Sequence, residues 1–179
     1  MSDPGEPTPI TLRDGTTVVV RALRAEDRAR IAAAVRGLDA QSIYTRMFSY
    51  RSGLSDAELD RIMRVVPGRE ELLVATVGEG GDERIVGSAR YVADLAAATA
   101  PERAEVAFVV EEDFQGRGLA GQLFAQLAAL ARHHGIRHFD AEVLPGNKGM
   151  LAVFRKAGLP LQERREDGVV HLSLALGDG

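Results

Sequence analysis

The chain is constrained most by the strand, turn and helix that follow one another at its centre, between Ala104 and His134. A short apolar run, Val106 to Val110, is bounded by charges and reads as a buried strand. Leu119, Leu123, Leu127 and Leu130 recur at helical spacing, which predicts an amphipathic helix. Between them stands Gln115-Gly116-Arg117-Gly118-Leu119-Ala120-Gly121. A glycine-rich turn entering a helix presents backbone N–H groups without intrahelical partners, together with the positive end of the helix dipole. Such a turn is an anion site, most often for phosphate.

Composition narrows the ligand. With 179 residues, 45% of them hydrophobic, the chain is long enough to bury one proper core. A net charge of −4 argues against a nucleic-acid partner, which usually meets a basic stripe. No apolar run approaches a membrane span, and the start MSDPGEPTP lacks the basic and apolar parts of a signal peptide. The absence of cysteine excludes disulfides, thiolate metal sites and cysteine nucleophiles, and the expected compartment is the cytoplasm.

Residues 1–9 hold three of the seven prolines and are expected to be a disordered lead-in. Ile10–Leu12 and Thr17–Arg21 flank Asp14-Gly15 as a hairpin. A helix is predicted from about Ala25 to Arg36, with Ile31 and Val35 inward and Gly37 as its stop. Asp39 is expected to cap a short helix carrying Ile43 and Met47, with Phe48 nearby, and Ser55 to Glu58 reads as a capping box opening another. Strands follow at Leu72–Val77 and Arg84–Val92, and residues 94–101 form a loop. After the central unit come a strand from His138 to Val143, a helix opened by Asn147 and stopped at Gly158, and a closing hairpin. The expected fold is therefore one α/β (α+β) domain spanning 10–176. Its sheet is mixed but mostly antiparallel, with helices on both faces and a single parallel crossover after the central strand, 104–110.

Gly116-x-Gly118-x-x-Gly121 matches the dinucleotide fingerprint literally, but Glu111 to Gln115 separate it from the strand end, and too little chain follows for a second nucleotide-binding half. A P-loop is excluded because no Gly-Lys-Ser/Thr ending is present. Gln115-x-x-Gly118-x-Ala120 after an apolar strand resembles the acyl-CoA pyrophosphate signature of the GNAT superfamily of N-acyltransferases. The second signature of that superfamily has its counterpart in Asn147 to Met150 and Phe154 to Leu159. More narrowly, Leu12 to Val18, Leu54 to Glu58 and Ala104 to Phe108 resemble the catalytic domain of bacterial Pat-type protein lysine acetyltransferases. Those proteins usually carry a regulatory or synthetase-like module as well, which this sequence lacks, so regulation is expected from a partner or not at all.

The resemblance implies a sheet splayed at the central strand and acetyl-CoA as co-substrate. Backbone groups of Phe108, Val109 and Val110 would take the pantetheine arm. Gln115, Gly116, Arg117, Gly118, Leu119, Ala120 and Gly121 would cradle the pyrophosphate. Asn147, Met150 and Phe154 would complete the coenzyme site. Gly116 and Gly118 permit close approach and positive φ. Arg117 either adds charge to a phosphate or is simply solvated.

Glu105 is the expected catalytic residue. A lysine amine has a pKa of about 10.4, so only a small fraction is a free nucleophile at neutral pH, and a positioned base supplies what is missing. The resemblance assigns that role to the glutamate of Ala-Glu-x-Ala-Phe, acting through water where base and acyl carbon are not adjacent. The plain structural alternative is an ion pair with an arginine such as Arg90 on the preceding strand. Many relatives place a tyrosine where Phe154 stands, as an acid for the departing thiolate, and phenylalanine cannot serve so. Met150 and Phe154 also share one helix face, and Asn147 is explained as well by capping.

His133, His134 and His138 read as surface groups favoured at a helix C-terminus rather than as a metal site, and no metal is expected. Glu111, Glu112 and Asp113 read as a solvated acidic loop. The expected acceptor is a protein lysine, in an acyl-CoA synthetase for example, and the alternative acceptor is a small amine. A CoA-binding sensor without catalysis is a third reading. Residues 36–68 should roof the acceptor cleft, where a narrow acidic pocket would favour a small amine and an open groove a protein.

Overall fold

The computed structural model describes residues 5–37, 54–93 and 99–177. Eight strands form one sheet in the order β1-β2-β3-β4-β5-β6-β8-β7. They are β1 (Thr8–Thr11), β2 (Thr17–Ala22), β3 (Glu70–Val77), β4 (Arg84–Ala93), β5 (Arg103–Val110), β6 (His138–Val143), β7 (Leu161–Glu166) and β8 (Val169–Ala175). Every pairing is antiparallel except β5 with β6, the one crossover that the order of elements predicted. Strand β1 begins at Thr8, so the last residues of the expected lead-in are paired with β2. The helix expected after Asp39 and most of the loop after Ala93 lie outside the described residues.

Four α-helices cover the sheet among these residues: α1 (Arg28–Arg36), α2 (Asp56–Met63), α3 (Leu119–His133) and α4 (Lys148–Arg155). The 25–36 helix begins as a 3-10 turn over Ala25–Asp27, and Gly37 ends it with an ordinary right-handed φ of −84°. The Ser55 capping box is formed: its hydroxyl accepts from Glu58 N–H and the Glu58 carboxylate accepts from Ser55 N–H.

Alternation along β5 assigns its two faces. Ala104, Val106, Phe108 and Val110 are buried, whereas Glu105 is exposed and Ala107 and Val109 are half-buried. The buried set joins the main core with Leu119, Leu123 and Leu127 of α3 and Leu151 and Phe154 of α4. A smaller core on the other face packs Ile31 of α1 and Leu59 of α2 against Val74 and Ile85. Arg21 and Asp27 tie the entry of α1 to β2 as a buried pair at 2.7 Å.

Candidate active site

The parallel pairing of β5 with β6 covers only Arg103 to Glu105 against His138 to Asp140. Beyond it β6 stays with β8 as far as Val143, while β5 runs on to Val110 beside β4. The two strands diverge, leaving one edge of β5 without a strand partner among the described residues. Glu111 N–H donates to Val86 O at 2.8 Å, so the odd-numbered residues of β5 direct their backbone groups at β4. The even-numbered ones face the gap. Phe108 therefore offers both N–H and C=O there, and Val110 its N–H. Val109 was expected to offer backbone groups too, but its own serve the β4 ladder.

A cleft of about 810 Å³ opens from this gap and is bounded by the glycine turn, α3 and α4. Gly116 and Gly118 have φ of 73° and 90°, in the left-handed region that favours glycine. From Gly116 through Gly121 no backbone N–H has an acceptor among the described residues, and Gln122 N–H makes the first helical bond, to Gly118 O. The row of donors is thus present where the sequence placed it. Gln115 is an anchor instead: its N–H donates to Glu112 O, and its carboxamide donates to Val110 O at 3.0 Å.

Arg117 is held by Asp14 at 2.7 Å, and its guanidinium stands 5.3 Å from the centre of the Phe114 ring. The β1–β2 turn thus supplies a partner for a guanidinium that stays 35% exposed and lines the cleft. The same turn brings Arg13 to the cleft, with its N–H donating to Arg117 O at 3.2 Å. Leu119 is buried by its side chain, while Ala120 and Gly121 lie on the wall. Sequence reasoning missed Arg13, because only the tertiary fold places the hairpin against the helix start. It also missed Lys156, although Gly149, Ala152, Val153 and Lys156 recur at helical spacing along the wall.

Asn147 caps α4, accepting from Met150 N–H at 3.1 Å, and both residues line the cleft. Phe154 does not line it. Its ring is 1% exposed and packs edge-on against Phe108 and Phe124, at 5.8 and 5.9 Å between centroids, so it is a core residue rather than a coenzyme contact.

Glu105 projects from the opposite face of β5. It borders a depression of about 410 Å³ that includes Asp140, Glu142, His171 and Ser173. Among the described residues it has no ion pair. Arg90, the arginine named as its structural partner, pairs with Glu70 at 3.4 Å instead. Nearby, Asp140 is taken by Arg103 at 2.7 Å, and hydrogen bonds from that guanidinium hold its carboxyl below the usual range.

Among the described residues, no group of three or more histidine or acidic side chains is placed to hold an ion. His134 is not the charged surface group expected at a helix end. Its Nδ1 lies 2.8 Å from the hydroxyl of buried Tyr91, and burial, followed by neighbouring His133, lowers its pKa. Glu111 of the acidic loop pairs with Arg84 at 2.6 Å.

Residues 38–159 match the Acetyltransferase (GNAT) family. The chain is 31% identical over 163 residues to an acetyltransferase of Pseudomonas aeruginosa, covering 90% of this chain and 86% of that one. It is 30% identical over 164 residues to the acetyltransferase Pat of Mycolicibacterium smegmatis, covering 92% of this chain and 47% of the relative, so it spans about half of that protein's length. The solved GNAT domain of S. lividans PAT superposes with a TM-score of 0.85 at 35% identity, covering 94% and 96% of the two chains. The chain belongs to the GNAT acetyltransferase family, with a single α+β GNAT-like domain, and is related to the Pat proteins at about 30% identity. Acetyl-CoA is the acyl donor of that family. No helix among the described residues is long and apolar enough to cross a membrane.

Proposed function

We propose that residues 10–176 form a cytoplasmic acetyl-CoA-dependent N-acetyltransferase whose acceptor is a lysine side chain of a protein, with Glu105 as general base. The observation that carries the reading is the break in β5–β6 pairing after Glu105. At that break the coenzyme cleft meets a strand whose opposite face bears an exposed carboxylate without an ion-pair partner among the described residues. Pantetheine lies along the free edge of β5, where Phe108 N–H and C=O and Val110 N–H receive it as an added strand. The pyrophosphate rests on the N–H groups of Gly116 to Gly121.

The acceptor arrives on the Glu105 face. Its ammonium gives a proton to Glu105, directly or through a water, and the amine nitrogen attacks the thioester carbonyl carbon. A backbone N–H at the gap stabilises the oxyanion of the tetrahedral species. The attacking nitrogen sheds its second proton to water as the C–S bond breaks, and the thiolate leaves without a dedicated side-chain acid, since Phe154 can give no proton. A free thiol has a pKa of about 8.5, so the thiolate is a tolerable leaving group near neutrality.

A protein acceptor is favoured over a small amine by the lining beneath α1 and α2. Among the described residues it is mostly apolar, and Arg61 and Arg90 balance Glu58 and Glu111, so it offers no net acidity to a free amine. A turnover screen with acetyl-CoA, over purified proteins that include acyl-CoA synthetases and over small amines, tests the acceptor. Glu105→Gln tests the base: transfer should drop by about 10²–10⁴-fold near neutral pH. Unchanged transfer across the neutral range would remove Glu105 from the chemistry.

A further inference from the structure

Beneath α1 and α2 lies a second cleft, of about 420 Å³, within the size range of small-molecule sites. Its walls among the described residues are mainly apolar, formed by Ile31, Ala34, Leu54 and Ile62, and Arg90 lines it from the sheet. It meets the coenzyme cleft at Val109, which borders both.

The lining holds two arginines, Arg61 and Arg90, and two glutamates, Glu58 and Glu111, and Arg90 is poorly partnered. Arg90 has a side chain 11% exposed, and its one partner among the described residues is Glu70, reached by Nη2 at 3.4 Å. That carboxylate is fully buried and already accepts from Arg61 at 2.6 Å and from Val66 N–H at 3.3 Å. Two guanidinium groups therefore share one carboxylate. Arg61 is 48% exposed and water serves it, but Arg90 is only 11% exposed. Its Nε has neither acceptor nor solvent, and its Nη1 donates to no described residue.

The other acids at the cleft do not pair with Arg90. Glu111 is bound by Arg84 at 2.6 Å, and Glu58 accepts from Ser55 N–H at 2.7 Å. A buried cation with unfilled donors is costly unless an anion completes it. Burial pulls the Arg90 pKa below its ordinary value, with Glu70 offsetting only part of the effect.

We propose that this cleft binds a carboxylate carried on a short hydrocarbon chain, the anion pairing with Arg90 and the chain lying against Ile31, Ala34, Leu54 and Ile62. A neutral apolar ligand would leave Arg90 Nε unfilled, and a bare anion would leave the walls uncovered. The carboxylate arrives either at the end of the acyl chain of a thioester, past Val109, or on a free acid.

Calorimetric titration of the full chain with hexanoate, against hexan-1-ol as its neutral counterpart, tests the site without any turnover. Hexanoate should bind at least tenfold more tightly than hexan-1-ol. Arg90→Met should abolish that advantage while CoA affinity stays within twofold. Ala34→Phe fills the apolar arm without altering charge and should remove hexanoate binding even if the Arg90 variant does not fold.

Two further measurements, which rest on the acyl-transfer reading, identify the source. Glutaryl-CoA consumed faster than pentanoyl-CoA by the wild type, but not by Arg90→Met, places the carboxylate on the acyl chain. Hexanoate binding alongside saturating CoA, without that preference, places it on a free acid. Equal affinity for hexanoate and hexan-1-ol, or hexanoate binding that survives both substitutions, overturns the proposal and leaves the acetyl-transfer reading untouched.

Discussion

The carboxamide of Gln115 donates to the carbonyl oxygen of Val110 at 3.0 Å, fastening the glycine turn to the last residue of the strand beside it. The glycine turn and the strand edge are thereby held in one geometry. Gln115→Ala removes a hydrogen bond worth about 1 kcal/mol and releases the turn. Acetyl-CoA KM should rise by roughly fivefold, with kcat little changed. Steady-state kinetics with acetyl-CoA as the varied substrate check this.

Two glycines of the turn should respond with opposite signs in stability. Gly118 has φ of +90°, and a Cβ there would stand 3.5 Å from Arg13 Nε. Gly118→Ala should therefore destabilise the fold by about 1–2 kcal/mol. Gly121 lies inside α3, where an added Cβ meets nothing within 4 Å. Gly121→Ala should stabilise the helix by up to about 1 kcal/mol, while its methyl group, standing in the cleft, weakens CoA binding. Denaturant unfolding and CoA titration of the two variants separate stability from binding.

The buried pair of Arg21 and Asp27 makes stability depend on acid. Arg21 donates twice to Asp27, Arg24 N–H donates once and Arg30 adds a third cationic contact. Burial alone would raise the Asp27 pKa, but these bonds outweigh it and the carboxyl lies below its ordinary value. Its contribution is fully present above the unfolded value of about 3.9, and is lost as pH falls through the lower folded value. Asp27→Ala should cost about 3–5 kcal/mol at pH 7, because Arg21 is left charged and buried. The difference from wild type should narrow in strong acid, as urea unfolding at pH 7 and pH 3 would reveal.

His134 should act in a different window. Its folded pKa lies below the unfolded value because burial disfavours the imidazolium. The unfolded chain therefore binds the proton first, and stability declines as pH drops below about 6.5 until the folded value is reached. His134→Gln should flatten the pH dependence of Tm across that interval.

The period of the side chains was enough to foresee much of the sheet and its helices. Alternation and helical spacing are local properties, and the turn chemistry of Asp14-Gly15 and Ser55 to Glu58 is local as well. The row of free N–H groups from Gly116 to Gly121 is local in the same sense, since it follows from glycine φ values and the start of a helix. Those facts follow from the sequence by itself, together with the expectation that a phosphate-bearing ligand sits there.

Contacts between residues distant in sequence were decided only by the tertiary structure. Arg90 could face Glu105 or Glu70, because both stand on neighbouring strands, and the fold gave it to Glu70. Phe154 had helical spacing compatible with either cleft or core, and the aromatic cluster with Phe108 and Phe124 took it into the core. Arg117 was claimed by Asp14 from a hairpin about a hundred residues earlier. In each case several partners were chemically acceptable. Which of them lay within hydrogen-bonding or packing distance depended on strand register and on the divergence of β5 from β6, neither of which local periodicity specifies.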